Sequence, residues 1–178
     1  MPHMRSTGFQ RGAAMIEAMI TMLIIAFGAL GFVGLQAKTA LSQIEGYQRS
    51  QALILLNDIS TRISINRINA VSYVGGNIGI VDLGDCSTRT IWADKDLCEW
   101  SLLIRGATEL QGSTKLGALT GARGCITSPA ANEYLISIAW QGVQATGAPS
   151  NICGQNAYSD ENMRRVVNTV VQIATLAS

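Results

Sequence analysis

The chain has 178 residues, is 48% apolar and only 14% charged, and carries 13 basic against 12 acidic residues for a formal charge of +1. That length holds one modest domain plus a long helix, and so balanced a charge argues against nucleic acid or an acidic polymer as partner, so no direct nucleic-acid binding is expected. The only histidine is His3, close to the amino end, which leaves the rest of the chain without histidine-dependent catalysis or a histidine-ligated metal.

In chain order, Met1 to Gly12 is short, polar and basic. It lacks the apolar core and small-residue cut of a secretory signal. From Ala18 to Leu35 no residue is charged. With Ala13 to Glu17 and Gln36 to Ala37 added, this predicts a helix roughly 37 Å long, enough to span hydrocarbon about 30 Å thick. Residues 13–37 therefore read as a transmembrane segment. Arg5 and Arg11 precede it, so the positive-inside rule puts the amino end in the cytoplasm and the rest of the chain outside. Glu17 stands at the mouth of the apolar run. A charge at the centre of a membrane helix costs roughly 2.5 to 3.5 kcal/mol on insertion scales, and less near an end, so this acid marks a functional site. Gly28, Gly31 and Gly34 recur every third residue and suit close packing against lipid or neighbouring helices.

After Lys38 the pattern turns amphipathic. Leu41, Ile44, Tyr47, Leu55, Ile59 and Ile63 follow helical spacing, while Glu45, Gln48, Arg49, Asp58 and Arg62 fall mostly on other faces, with Asp58 and Arg62 an i,i+4 acid–base pair. One continuous helix is expected from about Ala13 to about Asn66. Val74-Gly75-Gly76-Asn77 reads as a turn and Ile78 to Leu97 as loop. Asp94 reads as the N-cap of a short helix from about Lys95 to Leu110. Asp94, Asp96 and Glu99 are read as capping and dipole complement rather than a calcium cluster. Gly117, Gly121 and Gly124 are read as turns, because no Lys-Ser/Thr ending follows to make a phosphate loop.

The last third predicts antiparallel sheet. Gly124 to Thr127 is a short strand. Glu133 to Gly142 alternates, with Tyr134, Ile136, Ile138 and Trp140 on one face. Met163 to Ala174 holds Val166, Val167, Val170, Val171 and Ile173, strong β-formers. Gly142 to Asp160 makes a long connection. Trp92, Trp100 and Trp140 are expected in the core or against the sheet. The whole reads as α+β: a long N-terminal helix, hydrophobic then amphipathic, packed on a small antiparallel sheet.

Cys86, Cys98, Cys125 and Cys153 all follow the apolar segment and match neither zinc spacing nor a C-x-x-C redox motif. An even count outside a membrane reads as two disulfides. Four cysteines allow three connectivities. Cys86–Cys98 with Cys125–Cys153 is favoured, since the first closes a short local loop and the second staples the long connection.

Gly12-Ala13-Ala14-Met15-Ile16-Glu17 before a membrane-length run resembles the class III signal of type IV prepilins and pseudopilins. Later stretches are similar to minor pilins of the PilV type: Gly28-Ala29-Leu30-Gly31, Gly34-Leu35-Gln36, Tyr47 to Ala52, Asp58 to Ile63, Glu99-Trp100, Arg123-Gly124-Cys125-Ile126 and Arg164-Arg165-Val166-Val167. The resemblance implies a pilin-like fold and three parts: a leader over 1–12, a membrane and filament-core helix half over 13–37, and a periplasmic globular domain over 38–178. It implies cleavage between Gly12 and Ala13 by a prepilin peptidase, N-methylation of Ala13 (many pilins have phenylalanine there), and a role for Glu17 in assembly. It further implies residence in the bacterial inner membrane and then in an extracellular pilus. The implied partners are other minor pilins, the major pilin and a PilY-type tip adhesin. The alternatives are a minor pseudopilin of type II secretion and a membrane-anchored periplasmic binding or adhesive module. No constellation supports catalysis, a metal or a cofactor, so a non-enzymatic subunit is expected.

Overall fold

A computed structural model describes residues 11–106, 110–111, 114–115 and 119–174. His3 and the first ten leader residues, like Gly117, lie outside the described residues. The chain divides into two compact units, Met1–Gln43 and Ile44–Ser178.

Helix α1 runs Arg11–Ile65. Prolines occur only at 2, 129 and 149, so nothing in this stretch removes a helical N–H or clashes with the preceding turn. Arg62 in the last turn complements the helix dipole. A 3-10 segment, Arg67–Tyr73, follows directly.

Within the second unit, a four-stranded antiparallel sheet has the order β1-β4-β5-β6. Its strands are β1 (Gly75–Ile78), β4 (Arg123–Ala130), β5 (Glu133–Gln141) and β6 (Arg164–Gln172), and a two-stranded hairpin, β2 (Leu110–Gln111) with β3 (Thr114–Lys115), precedes β4. β4 and β5 are joined through Ala131 and Asn132, whose φ of 58° is the left-handed geometry a tight hairpin needs. Register between β4 and β5 slips between Thr127 and Ala130, where Pro129 cannot donate to the ladder.

The core lies between the second half of α1, helix α2 (Trp92–Ile104) and one face of the sheet. Ala52, Leu56, Ile59 and Ile63 meet Trp100 and Ile104 of α2 and Ile126, Ile136, Ile138 and Trp140 of the sheet. The α+β class is therefore the observed one, as is the inward face of β5.

Several local expectations are corrected. Val74 to Asn77 is mostly strand β1 and not a turn: pairing of Gly75 with Ile126 and Ile78 with Gly124 recruits two glycines of poor strand propensity. The stretch 78–97 is not all loop, because it holds a 3-10 turn, Cys86–Thr88, and the start of α2. α2 begins three residues earlier than Lys95 and stops at Ile104 rather than Leu110. Its N-cap is Ile91, in extended conformation with no capping side chain, and Asp94 instead lies in the first turn. Gly124 lies inside β4 and not in a turn, whereas Gly121 does turn, with φ of 59°. Trp92 is 71% exposed and is not in the core.

Candidate functional site

Every residue from 13 to 40 is exposed. α1 contains a stretch, none of it buried, that is long and apolar enough to cross a membrane. Met15, Ile16, Leu23, Phe27, Leu30 and Phe32 are each more than half exposed and lie on all sides of the helix. A helix apolar all round is a membrane span or the core of a larger assembly. Thr21 donates its hydroxyl to the Ala18 carbonyl at 2.9 Å and Thr39 to the Leu35 carbonyl at 3.0 Å. Such internal bonding lets a hydroxyl sit in lipid without an unmet polar group. Glu17 is the only charged residue between Gly12 and Lys38. Gly12, Ala13 and Glu17 all lie in the first turns of α1, and Ala13 and Glu17, four apart, share one face.

In the second unit the inward face of α1 differs from the expected stripe. Ile44 is 45% and Tyr47 is 53% exposed, whereas Glu45 and Gln48 turn inward. Two sheet side chains hold them there. Arg165 Nη2 meets Glu45 Oε1 at 3.1 Å, and Trp140 Nε1 donates to Gln48 Oε1 at 3.2 Å. The backbone N–H of Val143 also donates to Glu45 at 2.9 Å. Polar residues thus occupy core-facing positions because the sheet supplies matching charge and donors.

Asp96 and Glu99 are likewise not mere dipole complement. Arg62 Nη1 lies 2.9 Å from Asp96 and 2.6 Å from Glu99, and its Nε lies 3.0 Å from Asp58. Burial alone would lower the Arg62 pKa, but hydrogen bonds to Glu99 and Asp96 and the charge of Asp58 outweigh it and raise it. Tyr73 donates its hydroxyl to Asp96. Burial first, then that bond, pushes the phenol up to about 12. This node joins α1, the 3-10 segment and α2.

Arg164 and Arg165 open β6 and point to opposite faces, as neighbours in a strand must. Arg165 reaches α1. Arg164, 2% exposed, gathers the long connection. Its Nη1 donates to the carbonyls of Asn151 at 2.5 Å and Cys153 at 3.1 Å, its Nη2 to Pro149 at 3.1 Å, and its Nε to Glu161 at 2.6 Å. The connection therefore lies over the outer face of the sheet, and Ser137 and Ala139 are buried beneath it. Cys125–Cys153 staples the same loop, with Cα atoms 5.8 Å apart, and Cys86–Cys98 ties the loop before α2 to that helix, with Cα atoms 5.6 Å apart.

The sequence reading missed Glu45, Gln48 and Tyr73 as contact residues. The signal it could have used is the continuous i,i+3/i+4 row Glu45, Gln48, Ala52, Leu56, Ile59, Ile63, which predicts two polar residues on the buried face. The Arg62–Asp58 pair was legible, but its two partners on α2 were not. No protein-family model, curated protein or solved structure matches the chain.

Proposed function

We propose that this chain is a subunit of a type IV filament, most like a minor pilin of the PilV type. The observation that carries the reading is α1: apolar on every side and exposed from 13 to 40, with the single acid Glu17 just after the Gly12–Ala13 bond. The chain starts in the bacterial inner membrane with residues 13–37 spanning it and residues 38–178 in the periplasm. Two disulfides suit that oxidising side. A prepilin peptidase cuts after Gly12, where the absence of a side chain permits close backbone approach, and the new amine of Ala13 is methylated.

The positive amine begins the helix, where the dipole already disfavours positive charge. Glu17, one turn away, is poorly solvated in lipid. Glu17 of an incoming subunit pairs with the Ala13 amine of its neighbour, and the pairing offsets the burial of both charges. Removal from lipid then buries the apolar helix among other such helices. The disulfide-bonded domain meets other minor pilins, the major pilin and a PilY-type tip adhesin. The role is non-enzymatic and uses no cofactor.

The test compares Glu17→Gln with the parent chain, expressed at native level in its host, in the sheared-filament and membrane fractions. The reading expects the parent in both fractions and the variant, cleaved normally, in the membrane alone. Equal entry of both into filaments would remove the assembly role of Glu17, and absence of the parent from filaments would remove the reading itself.

A further inference from the structure

We infer that Arg164 is the positioning residue for the Cys125–Cys153 bridge: it holds the long connection over the sheet before the two sulfurs join, so that the bridge closes within a folded domain. Cys125 pairs with Ser137 in β5, and Gln141 of the same strand pairs with Arg164 in β6. Cross-strand partners, and residues an even number apart in one strand, share a face. Cys125 and Arg164 therefore both project from the outer face of the sheet. Cys98 belongs to α2, which packs through Trp100 and Ile104 against the core face. The sheet thus stands between the two cysteine pairs. Once it has formed, Cys125 can meet only Cys153, and only if the connection crosses the outer face.

Arg164 secures that crossing without help from the sulfurs. Its guanidinium donates to the carbonyls of Pro149, Asn151 and Cys153, alternate residues of the connection. Asn151 adds a second tether: its Nδ2 donates to Ser137 Oγ at 2.9 Å, and its Oδ1 accepts from the Cys153 N–H at 2.8 Å. Both tethers end on the backbone of Cys153 itself. Gly154 completes the approach, with φ of 68° and a position where a Cβ would stand 2.9 Å from Ala139 Cβ. None of these contacts uses Sγ. Glu161 accepts from Arg164 Nε at 2.6 Å, so a carboxylate orients and neutralises the buried guanidinium. A buried cation stripped of its acceptors is costly, which favours the connection in place whether or not the bridge is made.

Ordering the connection beforehand removes loop-closure entropy from the oxidation step. The reaction is thiol–disulfide exchange. With oxidised glutathione as oxidant, the thiolate of one cysteine attacks a glutathione sulfur and expels a glutathione thiolate. The thiolate of the other cysteine then attacks the protein sulfur of that mixed disulfide and expels the second glutathione thiolate. Two protein thiols lose two electrons and two protons, and two glutathione thiols are gained. Cys125 and Cys153 wall an open cleft of about 730 Å³, so a tripeptide thiol reaches them from solvent.

The test equilibrates the full chain in detergent micelles with glutathione buffers of graded ratio and reads each bridge separately by alkylation and mass spectrometry. Cys86–Cys98 is the internal control. Arg164→Met is expected to lower the equilibrium constant for Cys125–Cys153 by at least about tenfold, or about 30 mV, and to leave that for Cys86–Cys98 within about twofold. Asn151→Ala should lower the same constant by about threefold. Circular dichroism checks that each variant is folded, and Asn151→Ala carries the comparison if Arg164→Met is not. A further arm leaves Arg164 intact. With Cys125→Ala and Cys153→Ala combined, the amides of residues 153 and 156, which donate to Asn151 and Glu161, should exchange at least about tenfold more slowly than in the urea-unfolded chain. Equal weakening of both bridges, an unchanged Cys125–Cys153 constant, or unprotected amides at 153 and 156 beside a protected sheet overturns the proposal.

Discussion

Gly124 of β4 lies face to face with the Trp100 indole, and a Cβ added there would overlap Cη2 and Cζ3 of that ring and stand 3.1 Å from Ile104 Cδ1. The ring has no room to retreat. It is fully buried, and its Nε1 donates to the Leu55 carbonyl of α1 at 2.9 Å. Gly124→Ala must therefore either strain the core, about 1–3 kcal/mol for an overpacked site, or tilt the indole off Leu55 and lose a further hydrogen bond worth about 0.5–1.5 kcal/mol. The expected loss is about 2–4 kcal/mol. With a urea dependence near 2 kcal/mol per molar, the midpoint falls by about 1–2 M. The assay is urea unfolding of the full chain in micelles followed by tryptophan fluorescence, since Trp92, Trp100 and Trp140 all lie in the second unit. Gly75→Ala is the control, because that Cβ meets nothing within 4 Å, and it should be neutral or stabilise by about 0.4–1 kcal/mol through the unfolded state. Trp100→Phe lacks the overlapping atoms, so it should couple to Gly124→Ala by more than about 1 kcal/mol in a double-mutant cycle. A Gly124→Ala chain within about 0.5 kcal/mol of its parent, or costs that simply add, would refute this packing.

The Tyr73 phenol is raised from its ordinary 10.0 to about 12 in the fold. Its stabilising contribution is thus complete below pH 10 and is lost as pH rises through about 12, and Tyr73→Phe should flatten that limb of an alkaline unfolding profile. Arg62→Met leaves Asp58, Asp96 and Glu99 without their shared cation, at side-chain exposures of 34%, 18% and 37%. After allowance for solvent screening the loss is about 1–3 kcal/mol, read by the same urea unfolding, and lowering the pH toward 4 should recover part of it. Replacing Cys125 and Cys153 by alanine should cost about 0.7 kcal/mol more than replacing Cys86 and Cys98, since the bridges span separations of 28 and 12 residues and loop entropy grows with the logarithm of length.

The parts of the fold legible in the sequence were those where one pattern dominates. Nothing breaks the helix from 13 to 65, and the alternation of β5 and the valines of β6 have no competing reading. What failed was decided by contacts distant in sequence. Gly75 and Gly76 read as a turn because only pairing with β4 makes them a strand. α2 starts early with no capping side chain, where Ala93, 1% exposed, brings the first turn into the core. Glu45 and Gln48 looked outward-facing because polarity alone cannot reveal Arg165 and Trp140 waiting across the core. In the candidate site, Gly12, Ala13 and Glu17 were visible because an acid in an apolar run is anomalous on its own.

The central claim is best tested by the intact mass and amino-terminal sequence of the protein recovered from its native host. The account predicts a chain beginning at Ala13, carrying one methyl group on its amine. A chain that still begins at Met1, in cells whose other pilins are processed, would contradict it.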